Sequence, residues 1–204
     1  MVAGLLVAAD AGVRSVAESQ LRDRVIAAAA PAGATSARID SFPFLGRLLL
    51  SGEVSRIRVT SADVAVEGVT FASVVLELSR VTFDRDRLLS DRTVVLASLE
   101  RGTATAEVTQ DELSERLGFA VTLETGRASV RVGGQTLTAA ATVTDNTLRL
   151  TVAGLSVPAL RIPRMSLLPC VGDAEILAGR IRLTCSVDEI PPELVGRPLD
   201  ELPL

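Results

Sequence analysis

Histidine is absent from the 204 residues, and with it go the commonest general base and the commonest transition-metal ligand. The usual hydrolase triads and zinc sites therefore have no residues to be built on. Lysine, tryptophan and tyrosine are absent too, so every cationic side chain is arginine and five phenylalanines make up the aromatic complement. The bland reading of an arginine-only set is genome composition, although a guanidinium does grip phosphate bidentately. Few rings leave little for bases or sugars to stack on. A net charge of -4, with a pI near 5.0, argues against nucleic acid, which selects for a basic surface. No apolar run approaches the ~20 residues that a spanning helix needs.

What is present is aliphatic. Hydrophobic residues make up 48% of the chain, so the core must be built from Val, Leu, Ile and Ala, and any cavity would have aliphatic walls. The length suits a single domain with a substantial core. Residues 1–9 are apolar and have two readings: the tail of a signal or anchor segment, or simply the start of the first helix. With the first reading the division is residues 1–11 as a segment remnant and 12–204 as one domain.

From Gly12 to Ala30 the period is helical, with Val13, Val16, Ala17, Leu21, Val25 and Ala28 on one face and Glu18 four residues before Arg22 on another. Residues 41–52 then form a joint. Two phenylalanines flank Pro43, and Leu48-Leu49-Leu50 closes at Ser51-Gly52. Beyond it the period is two. Strands are expected over 53–60, 62–67, 69–81 and 93–107, the last bent or broken at Gly102. On the third, Val74, Leu76 and Leu78 share a face. Thr109 with Glu112 is a capping-box pattern, predicting a short helix from Gln110 to Leu117 stopped by Gly118. A meander follows over 119–124, 127–132, 135–144 and 147–152, with turns at Thr125-Gly126, Gly133-Gly134 and Asp145-Asn146. Pro158 and Pro163 are expected to break the next segment, and residues 179–187 form a final strand. One helix with many antiparallel strands reads as α+β, a long curved sheet packed on the N-terminal helix.

No catalytic constellation stands out, and the chain reads as a non-enzyme without a cofactor or metal. Asp84-x-Asp86, flanked by Arg85 and Arg87, is better read as a solvated, self-neutralising charged link than as a metal pair. Gly133-Gly134 lacks the strand-to-helix context of a phosphate loop. Cys170 and Cys185 have two readings, unrelated buried thiols or one disulfide tying a Leu-Pro corner to a strand, worth roughly 3 kcal/mol in the chain-entropy model. A disulfide would imply an oxidising compartment.

The order Phe42-Pro43-Phe44-Leu45, a leucine-rich turn ending at Ser51-Gly52, a strand like that from Glu53 to Thr60, and the later Leu168-Pro169-Cys170 and Cys185 resembles the LmeA-like family of phospholipid-binding proteins in the actinobacterial cell envelope. The likeness covers most of residues 13–195, and none of its motifs is catalytic. It implies a single tubular lipid-binding (TULIP-like) module, secreted or anchored in the envelope or periplasm. Its ligand would be a phospholipid, with phosphatidylinositol as the candidate. Its role would be support of envelope lipid or lipoglycan synthesis beside biosynthetic enzymes. The residues expected to meet acyl chains or a membrane surface are Phe42, Phe44, Leu45, Leu48, Leu49, Val74, Leu76, Leu137, Ala139 and Ala141. Leu50 belongs to the same apolar corner, which otherwise simply plugs the core. Arg47, Arg56 and Arg58 are the headgroup candidates, against the plainer reading of solubilising arginines on a wet strand face. The competing function is an envelope interaction module that docks a partner protein or wall component and has no lipid cavity.

Overall fold

The computed structural model describes residues 2–66, 68–91, 93–144, 147–152, 155–161, 173–190 and 195–196. Four helices and eleven strands follow one another in it: α1 (Val2–Ala29), β1 (Thr35–Ile39), α2 (Phe44–Ser51), β2 (Glu53–Val66), β3 (Val69–Phe83), α3 (Arg85–Ser90), β4 (Leu96–Thr109), α4 (Gln110–Leu117), β5 (Ala120–Glu124), β6 (Arg127–Val132), β7 (Gln135–Thr144), β8 (Thr147–Val152), β9 (Leu155–Arg161), β10 (Asp173–Leu177) and β11 (Arg180–Val187). The class is α+β, mostly antiparallel sheet with an N-terminal helix. The strands form two sheets, however, in place of the one long curved sheet expected: β1-β2-β3-β4-β11-β10 and β5-β6-β7-β8-β9. The reason lies in β4. Both of its edges are taken, by β3 and by the returning β11, so β5 has no free edge there and starts a new sheet.

The two sheets meet in the main core. Val69 and Phe71 of β3, Val108 of β4 and Ile181 and Leu183 of β11 pack against Val121, Leu123, Val130, Ala139, Leu148 and Leu150 of the second sheet, with Leu113 of α4 among them. α4 has the predicted bounds. Thr109 caps it by accepting from the Glu112 amide at 3.3 Å, and Gly118 ends it with φ 72°. The expected reciprocal half of the capping box is not made. The Glu112 carboxylate accepts instead from the amide of Thr70 at 2.9 Å and ties α4 to the start of β3.

Several segments differ from the sequence expectation for local reasons. The first two strands merge into β2, whose inward positions Val54, Ile57, Val59, Ser61 and Val64 include two three-residue steps. Asp63 (φ 51°) and Arg80 of β3 (φ 45°) stand in the left-handed region and absorb such changes of phase. The Leu-rich joint is the helix α2, closed by Gly52 at φ 70°, where a Cβ would collide with the Phe83 carbonyl oxygen. The charged link is the short helix α3, capped by Asp84 accepting from the Arg87 amide at 3.1 Å. Gly102 does not interrupt β4. Pro158 sits inside β9, an edge strand, beside a register irregularity at Leu148/Arg149 where a missing N–H is tolerated. The turn at Asp145-Asn146, Pro163 and Cys170 lie outside the described residues.

α1 is a continuous helix from Val2, and among the described residues no helix is long and apolar enough to cross a membrane. Its buried or half-buried positions include Asp10, Arg14, Ala17, Glu18, Leu21 and Val25, whereas Val13 and Val16, expected on the inner face, are exposed. Two carboxylates set this rotation. Asp10, only 5% exposed, accepts from the Leu45 amide at 2.7 Å, and Glu18 accepts from the Ile39 amide at 2.8 Å. Glu18 is thus spent on β1, and Arg22 turns to Asp23 and Ser19.

Candidate functional site

Antiparallel register places directly opposed residues on the same face of a sheet. On the inner face of the first sheet one cross-strand row is Ala37, Val59, Leu76, Ala104 and Cys185, from β1 through β2, β3 and β4 to β11. The row on one side is Ile39, Ile57, Leu78, Gly102 and Val187. On the other side lie Thr35, Ser61, Val74, Ala106 and Leu183. Both ends of this face are packed. Toward the second sheet, Val74, Ala106 and Leu183 join the main core. Toward α2, Ile39, Phe44 and Val54 form one cluster with Ala17, Leu45, Leu48, Ile57 and Phe83, and Val81, Leu96 and Leu99 form another with Leu78 and Val187. Between them Val59 and Ala104 are buried, each 6% exposed. Leu76 is half-buried and joins none of the three clusters. β4 contributes only Gly102, Ala104 and Ala106, so its strip of the face stands low. Among the described residues α1 packs on β1 and β2. This middle row, Val59, Leu76 and Ala104, is aliphatic, and the small β4 residues in it are a signal the sequence carries but strand pairing alone makes readable.

Beside this face, α2 separates the two rings around Pro43. Phe44 is 4% exposed and holds the cluster with Ile39 and Val54, while Phe42 is 66% exposed. The corner therefore presents one ring to solvent, not two, because the first turn of α2 points Phe44, Leu45 and Leu48 inward. Leu49 and Leu50 lie on the outer side, the latter 78% exposed, and the Arg85 guanidinium of α3 donates to the Leu50 carbonyl at 3.2 Å. Exposed Leu89 on α3 adds to the apolar surface of these short helices.

On the opposite, wet side of β2, β3 and β4 lies a polar basin of about 560 Å³ lined by Arg47, Glu53, Ser55, Arg56, Ser79, Arg80, Glu100 and Arg101. Arg47 reaches it from α2, donating to Ser55 Oγ at 2.6 Å and to Glu53 at 3.3 Å. Arg80 pairs with Glu100 at 2.6 Å and Arg101 with Asp188 at 3.3 Å. Of the three arginines singled out in the sequence, Arg47 and Arg56 meet here, while Arg58 points elsewhere and is paired with Glu77. Arg80 and Arg101 come from strands distant in sequence and carry no local signal.

The remaining candidates divide. Leu137, Ala139 and Ala141 are on β7 of the second sheet, at the main core, where β10 supplies Ala174 and Ile176. The small residues of β7 are thus covered by a strand, and they are not brought together with the α2 corner. Val74 lies at the same core and Leu76 between the two groups. Cys185 is half-buried on β11 opposite Ala104. Among the described residues no group of three or more metal-ligating side chains occurs, Asp84 being a helix cap.

An α+β fold, mostly antiparallel sheet with an N-terminal helix, and an aliphatic sheet face beside an exposed apolar corner are consistent with a lipid-binding fold. The family comparison agrees: the model of the LmeA-like phospholipid-binding family matches residues 8–174, and the chain belongs to that family. No curated protein and no solved structure matches the chain.

Proposed function

We propose that the protein is a non-catalytic phospholipid carrier that holds acyl chains against the inner face of its six-stranded sheet. The observation that carries this reading is the match of residues 8–174 to the phospholipid-binding family, and the aliphatic middle row Val59, Leu76 and Ala104 is the face proposed to hold the chains. Burial of an acyl chain yields about 0.8 kcal/mol per CH₂, so a dozen methylenes give roughly 10 kcal/mol, enough for firm retention without specific headgroup contacts. Exposed Phe42, Leu49 and Leu50 form the lip that meets the membrane surface. The architecture is that of one TULIP-like module. It works outside the cytoplasm, in the cell envelope, where a Cys170–Cys185 disulfide is stable. Phosphatidylinositol is the candidate lipid, and support of envelope lipid or lipoglycan synthesis is the role.

Native mass spectrometry of protein purified without detergent tests the reading. A carrier retains a lipid adduct or takes one from vesicles. Failure to do either overturns it and favours a docking module with a filled interior.

A further inference from the structure

The wet-face basin lies on the side of the sheet away from the proposed acyl-chain face. Four guanidiniums from α2, β2, β3 and β4 converge on a space of about 560 Å³ that contains two carboxylates. Arg101 is paired in addition with Asp188 at the rim, so the surplus of the basin is one guanidinium, on a chain whose net charge is -4. Glu53 and Glu100 are engaged, by Arg47 and Arg80 respectively. Arg56, opposite Ser79 in the lining, forms no side-chain hydrogen bond or ion pair among the described residues. Arg80 reaches the basin from a left-handed backbone position (φ 45°), where a non-glycine residue is held at a cost of order 1 kcal/mol or more. Arg47 and Leu50 are three residues apart on α2, so the basin borders the exposed apolar lip.

We infer that this basin is a phosphoryl-binding site, with Arg56 and Arg80 as the principal contacts and Arg47 and Arg101 at its flanks. Guanidiniums match phosphate oxygens bidentately, and an unpaired one surrounded by others already held in place is preorganised for such an anion. The volume accommodates a phosphate group together with the small polar moiety that carries it. The phosphoryl group belongs either to a lipid headgroup at the membrane surface or to a soluble phosphate compound; the first alternative rests on the carrier reading and the second does not.

The test uses the full chain. Inorganic phosphate and glycerol phosphate are titrated calorimetrically, and sedimentation is measured with phosphatidylcholine vesicles with and without phosphatidic acid. Arg56→Gln and Arg80→Gly are each expected to weaken binding of the phosphate-bearing probe by at least about tenfold, while Arg131→Gln on β6 leaves it unchanged. Arg80→Gly relaxes a left-handed position, so its melting temperature is expected to equal or exceed that of the parent and loss of binding cannot come from misfolding. A response to the soluble probes alone assigns a soluble phosphate compound; a response to phosphatidic acid vesicles alone assigns a lipid headgroup. Parent-like binding by both arginine variants, or no binding of any probe by the parent, overturns the site. Retention of acyl chains is a separate readout, so a protein that titrates phosphate but keeps no lipid adduct sinks the carrier reading and leaves the basin standing.

Discussion

Replacing Leu76 with tryptophan separates a lipid trough from a filled core. In a filled core the larger side chain overpacks, costing about 1–3 kcal/mol and sometimes more. Leu76 is half-buried, joins no cluster and faces Val59 and Ala104 across its neighbouring strands. On the carrier reading the indole lies over Ala104 at little cost, leaving the lipid-free protein within about 1 kcal/mol of the parent. For a chain of this length that corresponds to a melting shift below about 4 °C. The space it takes is space denied to an acyl chain. Displacing about four methylenes forfeits roughly 3 kcal/mol, which is more than a hundredfold in retention. Native mass spectrometry and vesicle exchange read the second quantity. The chain has no other tryptophan or tyrosine, so the emission of the new residue reports directly on the polarity of its surroundings. Lipid retention equal to the parent's would refute the trough. So would destabilisation on the scale of Leu150→Ala, a fully buried deletion expected to cost about 2–5 kcal/mol.

Asp10→Ala removes the buried carboxylate that accepts from the Leu45 amide, and a loss of about 1.5–3 kcal/mol is expected, with faster hydrogen exchange at Leu45; unchanged exchange there would show that α1 is not anchored by this bond. Phe42→Ser combined with Leu50→Ser alters only exposed side chains, so stability should stay within about 0.5 kcal/mol while vesicle binding falls at least about tenfold, and undiminished sedimentation with vesicles would remove the lip. A Cys170–Cys185 disulfide predicts a mass unchanged by alkylation until reductant is added, and about 3 kcal/mol less stability after reduction; two thiols alkylated without reductant would refute it.

Much of the local structure follows from neighbours in the chain, and there the sequence is sufficient. Thr109 and Gly118 bound α4 as predicted, because capping needs only residues within one turn. The meander β5 to β8 also follows local signals, with Gly126, Gly133 and Gly134 supplying positive φ at tight turns and alternation fixing which side of each strand is apolar. The α+β class, the aliphatic core and the family resemblance were likewise legible in composition and motif order.

What escaped the sequence depends on partners far along the chain. The split into two sheets follows from β11 returning to the free edge of β4, a pairing of residues 180–187 with 102–109 that no local pattern announces. The rotation of α1 is set by Asp10 and Glu18 finding backbone donors on α2 and β1, which overrides its apolar stripe because an unpaired buried carboxylate costs more than two exposed valines. Alternation identified Leu76 as apolar; only pairing puts it between Val59 and Ala104. Arg47, Arg56, Arg80 and Arg101 are likewise scattered over 55 positions of sequence, and the crossing of one short helix with three strands makes them a single basin.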